Sequence, residues 1–250
     1  MPLFEPDWPL PEGVKLGWTR RQGGVSDAPF ATFNLAHHVG DEAQAVQRNR
    51  ERLLAHMPGC NAIRWLSQVH GCVVGDVTRI QDGTEADAAY TEQPGLACAV
   101  MTADCLPVFF WTGQGDAVAC AHAGWRGLAD GVLLNTLERF AEPAQVCIGF
   151  GPAIGPKAFE VGEDVVQAFA GWPGRDECFN PGVRPGKYLA DLVGLAERQL
   201  QQAGVTNFYR FNACTLTETE HYFSYRREGQ TGRMANLIWI QQPVKAVWPE

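Results

Sequence analysis

Short apolar runs recur along the chain and define its predicted strands. Nine of them stand out: KLGWT, AIRWLSQV, CVVGDVT, LACAVMT, PVFFW, AVACAH, VCIGF, NFYRF and ANLIWI. Several are apolar at nearly every position rather than at alternate ones, which is typical of strands buried on both faces. The pattern therefore predicts sheets that are covered on both sides.

Helical spacing of apolar residues appears in four other segments. The predicted helices run through EAQAVQRNRERLLAHM, the segment after Gly127, a short segment after Gly162, and YLADLVGLAERQLQQAG. Asp41 is expected to cap the first helix with Gln44 completing a capping box, and Pro58-Gly59 is expected to end it. Gly204 is expected to end the last one.

The order of these elements indicates the fold class. Strands outnumber helices about two to one and do not alternate strictly with them, which disfavours a doubly wound parallel sheet. The order favours the α+β class, with mixed sheets layered between helices. No repeat or long linker interrupts the 250 residues, so we expect one domain over residues 1–250.

Composition narrows the function classes. Hydrophobic residues make up 46% and charged residues 19% of a chain with net charge −8, which predicts a folded protein that does not bind nucleic acid through a basic surface. The N-terminal MPLFEPDWPLPEGVK is not typical of a signal peptide, and no stretch of 18 apolar residues occurs. Eight cysteines are too sparse for a disulfide scaffold. We therefore expect a cytoplasmic protein without membrane contact.

Candidate chemistry lies where three apolar runs end. They lead into His70, Cys105 and His122, each followed within two residues by glycine or proline. Two imidazoles and one thiolate suit Zn²⁺, and three protein ligands with an open fourth position are typical of a catalytic zinc, whose bound water is a nucleophile at neutral pH. The three residues form no local motif, so the fold has to bring them together. From chemistry alone, the alternative that they are ordinary core residues stays open.

Longer motifs carry a family resemblance. QVHG (68–71), TADCLPV (102–108) and AHAGWRG (121–127) contain the three candidate ligands. Around them stand RQGGVS (21–26), NLAHHVGD (34–41), NRERL (49–53), GPAIGPKAFEVG (151–162), KYLADL (187–192) and SYRREGQTGRMA (224–235). In this order, from about residue 18 to residue 240, they resemble the purine nucleoside phosphorylase family formerly labelled laccase-domain or multicopper polyphenol oxidase proteins.

The resemblance implies a fold, a metal and two reactions. The implied fold is an αββα-type sandwich similar to a bacterial toxin's Cys/His deamidase domain, with zinc held by His70, Cys105 and His122. The implied transferase activity splits adenosine, inosine, guanosine or methylthioadenosine with phosphate into base and ribose 1-phosphate. The implied hydrolase activity deaminates adenosine to inosine. Purine nucleosides and phosphate are thus the expected partners.

Several arginines are candidates for anion contact. Arg126, just after the third ligand candidate, could act as a catalytic clamp for phosphate or developing charge beside the metal. Arg21, Arg226, Arg227 and Arg233 belong to two local basic clusters, which we interpret as substrate or phosphate contacts. For each of these arginines a surface position is the alternative.

Other polar residues have two interpretations each. Asp104 could hold a histidine ligand in position or cap a turn. Glu160 could transfer protons or be a strand-edge carboxylate. His37 and His38 are adjacent, and on an extended chain they would point to opposite faces, so at most one is expected to face the site.

Three other functions stay open. A copper-dependent polyphenol oxidase, which is laccase-like, would use the same donors, since two histidines and a cysteine also ligate copper. However, the chain has six histidines and no His-x-His pair, which is sparse for four-electron reduction of oxygen. A metal-free hydrolase would use Cys105 as nucleophile and a histidine as base. A zinc-stabilised binding protein without catalysis is the third.

Overall fold

A computed structural model of the chain describes residues 3–243. Over these residues the strands are β1 (Leu3–Phe4), β2 (Val14–Thr19), β3 (Ala62–Arg64), β4 (Val74–Asp76), β5 (Ala88–Thr91), β6 (Leu96–Thr102), β7 (Leu106–Thr112), β8 (Val118–Ala123), β9 (Val146–Phe150), β10 (Glu160–Gly162), β11 (Phe179–Pro181), β12 (Lys187–Ala190), β13 (Asn207–Arg210) and β14 (Met234–Ile240). The helices are α1 (Ala43–Leu54), α2 (Trp125–Ala129), α3 (Val132–Leu137), α4 (Glu163–Ala168), α5 (Leu192–Gln202) and α6 (Tyr225–Glu228). None of the helices in this described part has the length and apolar character needed to cross a bilayer. The ends of the expected 1–250 domain, residues 1–2 and 244–250, lie outside the described residues.

The strands form two large sheets and one small sheet. The first has the order β1-β2-β14-β6-β3, and the second has the order β13-β9-β7-β8-β5-β4. Both mix parallel and antiparallel pairs, because β3 runs parallel to β6 and β13 runs parallel to β9. The small sheet, β10-β12-β11, is antiparallel. The expected α+β class with mixed sheets is therefore confirmed.

The two large sheets pack face to face and are covered outside by helices. Trp18 and Ile238 of the first sheet share a core with Phe109 and Trp111 of the second. Leu53 of α1 covers the opposite face of the first sheet. Apolar residues of α2, α3 and α5 cover the opposite face of the second sheet. This is the expected αββα order of layers, and it explains why β6, β7 and β8 are apolar on both faces.

The structure contains a strand in each of the nine predicted apolar runs. Two runs were predicted too long. In CVVGDVT only Val74–Asp76 forms a strand. In AIRWLSQV, β3 ends at Arg64 and the chain then turns where the Trp65 amide donates to Asp82 Oδ1 at 3.2 Å. Sequence patterning missed β1, β5 and the small sheet, whose strands have only two to four residues. Such short strands hold few apolar positions, so their pairing depends on neighbours that are distant in sequence.

Three expectations about the helices need correction. Helix α1 begins at Ala43, and Asp41 does not cap it, because the Asp41 carboxylate accepts from Asn34 Nδ2 and from the Glu42 amide, both at 2.8 Å. The helix expected after Gly127 is two helices, since Gly131 between them has φ 96°, which a right-handed helix excludes. Helix α5 starts at Leu192, where Asp191 Oδ1 accepts from the Gly194 amide at 2.9 Å, and the preceding residues pair in β12 instead.

Candidate metal centre

His70 lies in a loop that is folded around a buried carboxylate. Asp87, which is fully buried, accepts backbone N–H bonds from Val69 at 3.1 Å, His70 at 3.0 Å and Gly71 at 2.8 Å. His70 adopts a left-handed backbone with φ 62°. The position of this imidazole is therefore set by a loop clamped to Asp87, not by the end of β3 as the apolar run suggested.

His122 is held by the same carboxylate. It lies within β8 and is 3% exposed. Its Nδ1 donates to Asp87 Oδ1 at 2.8 Å, and its backbone amide donates to the Asp87 carbonyl at 2.7 Å. With Nδ1 occupied by the carboxylate, Nε2 is left free to accept a metal, which is the usual way that a ligand histidine is fixed in one tautomer.

Cys105 lies in the tight turn between β6 and β7. The preceding Asp104 has φ 97°, and its carboxylate accepts from Thr215 Oγ1 at 2.6 Å and from the Arg226 amide at 2.7 Å. Asp104 therefore fixes the turn against the start of α6, and its carboxylate makes no hydrogen bond to a histidine among residues 3–243. This turn directs Cys105 Sγ to within 3.8 Å of His70 Nε2.

The three candidate ligand atoms converge. The ligand atoms of His70, Cys105 and His122 all lie within 4.8 Å of one another. Ligand atoms of a tetrahedral zinc stand roughly 3.5 Å apart, given metal–ligand bonds of about 2.0–2.3 Å. One imidazole is exposed, the thiol is half-buried and the other imidazole is buried. The donor set and its spacing fit a metal that is open to solvent on one side.

The charges around Cys105 favour its thiolate form. Burial raises the pKa of the Cys105 thiol, but the neighbouring His122 and His70 outweigh burial and lower this pKa to about 6. Burial lowers the pKa of His122, whereas the Cys105 thiolate and the Asp87 carboxylate raise it and prevail. A thiolate is the form of cysteine that binds metals.

Gly124 leaves room for the ligands. A Cβ at this position would stand 2.7 Å from His70 Cδ2 and 3.2 Å from Cys105 Sγ. The backbone there has φ −63°, which alanine adopts without strain. Glycine at position 124 is therefore required by the close approach of the two ligands and not by the backbone conformation.

Gly124→Ala is accordingly expected to displace the ligands and to lower zinc affinity by at least about tenfold. Gly113→Ala is the matched control, because a Cβ at Gly113 meets no atom within 4 Å. Competition with a chelator of known affinity measures the difference between the two variants. Equal zinc affinity in both would show that the ligands do not depend on this close approach.

A cavity of about 250 Å³ opens beside the cluster. His70 and Cys105 line it together with the rings of Trp125, Phe159 and Tyr225. Two of the three candidate ligands thus share this cavity with three aromatic side chains.

Two of the predicted arginines line this cavity. Arg126 is exposed and stacks on the neighbouring Trp125, with Cζ 4.2 Å from the ring centroid. Arg226 lies over Phe159 at 5.3 Å and donates to the Glu160 carbonyl at 2.8 Å. Arg126 therefore has a guanidinium available to a ligand, whereas that of Arg226 is partly engaged.

Arg21 and Arg227 lie elsewhere. Arg21 donates to the Thr219 carbonyl at 3.1 Å and to Glu228 at 2.8 Å. Arg227 donates to three backbone carbonyls, those of residues 215, 216 and 222, at 2.7–2.8 Å. Neither arginine lines the cavity, and both tie the segment before α6 to its surroundings.

The remaining candidates are also placed. Glu160 is the first residue of β10, and its carboxylate pairs with Arg184. His37 and His38 lie in a 3₁₀ turn, His37–Val39, so the expectation of an extended chain there was wrong. Arg233 donates to the carbonyls of Thr231 and Gly232 at 2.9 and 3.1 Å.

Sequence reasoning missed Asp87, the residue that joins the two histidine segments. Its only signal was an acidic residue at the start of the small-residue run AAYT, inside EADAAY. A charge next to a buried strand indicates a paired partner, but the pattern does not say which residues it pairs with.

Comparison with known proteins gives the family. The family model described as "Multi-copper polyphenol oxidoreductase laccase" matches residues 15–241. The chain belongs to this family. A "Purine nucleoside phosphorylase" of Haemophilus influenzae is 46% identical over 244 residues, 96% of this chain and 100% of the relative. "Purine nucleoside phosphorylase YfiH" of Escherichia coli is 46% identical over 241 residues, 95% of this chain and 98% of its own length.

Two solved structures share the fold. A Neisseria meningitidis protein of 44% identity superposes with a TM-score of 0.91, covering 97% of this chain and 100% of its own. YlmD from Geobacillus stearothermophilus, at 32% identity, superposes with a TM-score of 0.86 and 97% coverage of both chains. The family resemblance predicted from the motifs is thereby confirmed.

Proposed function

We propose that this protein is a zinc-dependent purine nucleoside phosphorylase. The observation that carries the proposal is the convergence of His70, Cys105 and His122 beside an aromatic cavity that His70 and Cys105 line. The names of the relatives, at up to 46% identity over nearly the whole chain, support the reaction. All eight cysteines are free, which supports the cytoplasm as its location.

The donor set supports zinc as the metal. Two imidazoles and one thiolate are a borderline-soft set of three, and a fourth position facing the cavity is the arrangement of catalytic zinc sites. When bound there, zinc supplies a Lewis acid and a means of activating water. Within this set, Asp87 fixes the tautomer of His122 and positions the loop that carries His70.

The cavity walls suit a nucleoside. The rings of Trp125, Phe159 and Tyr225 offer flat apolar surfaces for a purine base and exclude water from it. Arg126, whose guanidinium is exposed beside the same cavity, contacts negative charge that develops on the substrate. Arg226 acts mainly by holding Phe159 and β10 in place.

We also propose deamination of adenosine to inosine in the same cavity. Replacement of the 6-amino group needs water as the nucleophile and no phosphate, so the two reactions share the base-binding walls and differ in the second reactant. Both are expected to fail together when His70 or His122 is replaced.

The proposed reaction has a stoichiometric test. With the zinc-loaded chain, inosine is expected to give hypoxanthine only when phosphate is present, with an equal amount of ribose 1-phosphate. Adenosine is expected to give inosine with or without phosphate. Chromatography of the bases and an assay of the sugar phosphate measure both. Hypoxanthine release that is independent of phosphate would identify a nucleoside hydrolase instead.

One alternative has a structural observation in its favour. Cys105, His122 and Asp87 stand in the order of a nucleophile, a base and an orienting carboxylate, which is the arrangement of a metal-free Cys/His hydrolase. Exhaustive chelation separates the two functions. The zinc enzyme loses activity and regains it with zinc, whereas the hydrolase keeps its activity.

A further inference from the structure

A second cavity adjoins the first. It has a volume of about 330 Å³ and is lined by residues of the 3₁₀ turn, by the first residue of α6 and by the segment after α6: His38, Val39, Tyr225, Gly229, Gln230, Thr231 and Arg233. Tyr225 lines both cavities, so the second cavity lies next to the first. We refer to it as the His38–Arg233 pocket.

The pocket is cationic. Its lining includes His38 and Arg233 and contains no acidic side chain. Among the described residues, Arg233 has no carboxylate within 4 Å, and its hydrogen bonds go to the backbone carbonyls of Thr231 and Gly232. Its guanidinium stands 5.7 Å from the Tyr225 ring centroid. A half-buried guanidinium without a carboxylate is an unmatched charge that an anion would compensate.

Arg233 carries the positive charge of the pocket, because burial and nearby guanidinium groups favour the neutral form of His38. Burial lowers the pKa of His38, and the guanidinium groups of Arg233 and Arg50 lower it further. Burial also lowers the pKa of Arg233, while the acidic groups of Cys105, Asp104 and Tyr225 act in the opposite direction. Because Tyr225 lines both cavities and Cys105 lines the first, the pocket lies close to the candidate metal centre. Asp41, three residues after His38, is engaged with Asn34 and the Glu42 amide. Glu228, which precedes Gly229, pairs with Arg21 at 2.8 Å and accepts from Thr231 Oγ1.

We propose that the His38–Arg233 pocket binds the phosphate that attacks the nucleoside. This inference rests on the proposed phosphorylase function. A guanidinium, an imidazole and the Gln230 amide offer hydrogen-bond donors to a tetrahedral oxyanion. Tyr225 stands at the boundary between this anion and a nucleoside in the first cavity.

The juxtaposition meets the needs of phosphorolysis. A phosphate oxygen forms a bond to C1′ of the ribose as the C1′–N9 bond breaks. The base leaves with the electron pair of that bond and takes up the proton that hydrogen phosphate loses, and the sugar leaves as ribose 1-phosphate. The anion therefore has to bind beside the ribose but outside the space of the base, which two cavities sharing one residue provide.

Direct binding of inorganic phosphate to the zinc-loaded full chain tests the inference. We expect Arg233→Gln and His38→Gln each to raise the phosphate dissociation constant, by roughly 10–100-fold for Arg233. Arg79→Gln removes an equal charge from a side chain that is 85% exposed, and it should leave phosphate binding unchanged. Arg126→Gln, which alters only the first cavity, should leave it unchanged as well. Circular dichroism and the melting temperature establish that each variant is folded.

Kinetics supply the second readout. The KM for phosphate should rise in His38→Gln and Arg233→Gln, while the KM for inosine and the phosphate-free deamination of adenosine stay as in the parent protein. If Arg233→Gln does not fold, His38→Gln tests the inference by itself, because His38 lines the same pocket from a distant segment of the chain. Unchanged phosphate binding in these variants, or loss of binding in Arg126→Gln instead, would overturn the inference.

The outcomes separate the inference from the proposed function. If the parent protein needs phosphate to release hypoxanthine but the variants have an unchanged KM for phosphate, the phosphorylase function is supported and the pocket is not the phosphate site. A parent protein that binds no phosphate and releases no hypoxanthine would reject both.

Discussion

Cys105→Ser is expected to lose bound zinc and both proposed activities while its fold is retained. The Cys105 thiol has a pKa lowered to about 6 by the adjacent histidines, against burial, and it stands 3.8 Å from His70 Nε2. A serine hydroxyl in its place stays protonated and is a poor zinc ligand. Loss of a directly bound ligand should exceed the roughly 10–100-fold effect of removing a supporting residue. Metal content after dialysis and the rate of hypoxanthine formation measure the two losses.

The fold should survive because its core lies elsewhere. The apolar layer between the sheets contains Trp18, Phe109 and Trp111 and does not depend on the thiol. Cys60→Ser is the matched control, since Cys60 is also half-buried and its thiol donates to a backbone carbonyl, that of Ala62, at 3.4 Å. It should keep zinc and activity. A Cys105→Ser protein that keeps a full equivalent of zinc but no activity would instead support the role of nucleophile.

The strands could be predicted because a strand buried on both faces is apolar at nearly every position of its sequence. In β6, β7 and β8, nearly every position packs against a sheet on one side or a helix on the other, so the runs are continuously apolar. This same burial made the ends of the runs recognisable, and two of the three candidate ligands, Cys105 and His122, lie close to them. Their convergence with His70 could be expected from the family resemblance, but not from spacing.

What could not be predicted depends on contacts between distant segments. Local spacing predicted Asp41 as a helix cap, but its carboxylate accepts a hydrogen bond from Asn34 Nδ2 instead. Sequence alone does not distinguish Arg126 from Arg227, yet Arg126 is exposed at a cavity and Arg227 donates to three backbone carbonyls. A guanidinium has several donors on a long stem, so tertiary structure decides its partners.

Asp87→Ala is expected to weaken both zinc binding and folding. The carboxylate accepts three backbone N–H bonds and the His122 Nδ1–H bond, and it is fully buried. Removing it leaves these donors without a partner, which should lower the free energy of unfolding by about 3–5 kcal/mol. Release of the His70 loop and of the His122 tautomer should lower zinc affinity by roughly 10–100-fold. Denaturant unfolding and chelator competition measure the two effects.

Asp116→Ala is the control for loss of an aspartate. Asp116 is exposed in the turn between β7 and β8 and accepts from Thr112 Oγ1 at 2.5 Å. Its removal should change zinc affinity little and the free energy of unfolding by less than about 1 kcal/mol. A similar loss of stability in both variants would show that the hydrogen bonds of Asp87 stabilise the fold no more than those of an exposed aspartate.

Asp87→Asn separates the two roles of the carboxylate. Oδ1 accepts from the His70 amide and His122 Nδ1, whereas Oδ2 accepts from the Val69 and Gly71 amides. An asparagine has one carbonyl oxygen, so its NH₂ group must face one of these donor pairs in either orientation. We therefore expect zinc affinity and stability between those of the parent and Asp87→Ala. The stability loss should persist in metal-free protein, because the backbone donors remain unpaired without zinc. A loss confined to the zinc-loaded form would mean that Asp87 acts only through His122.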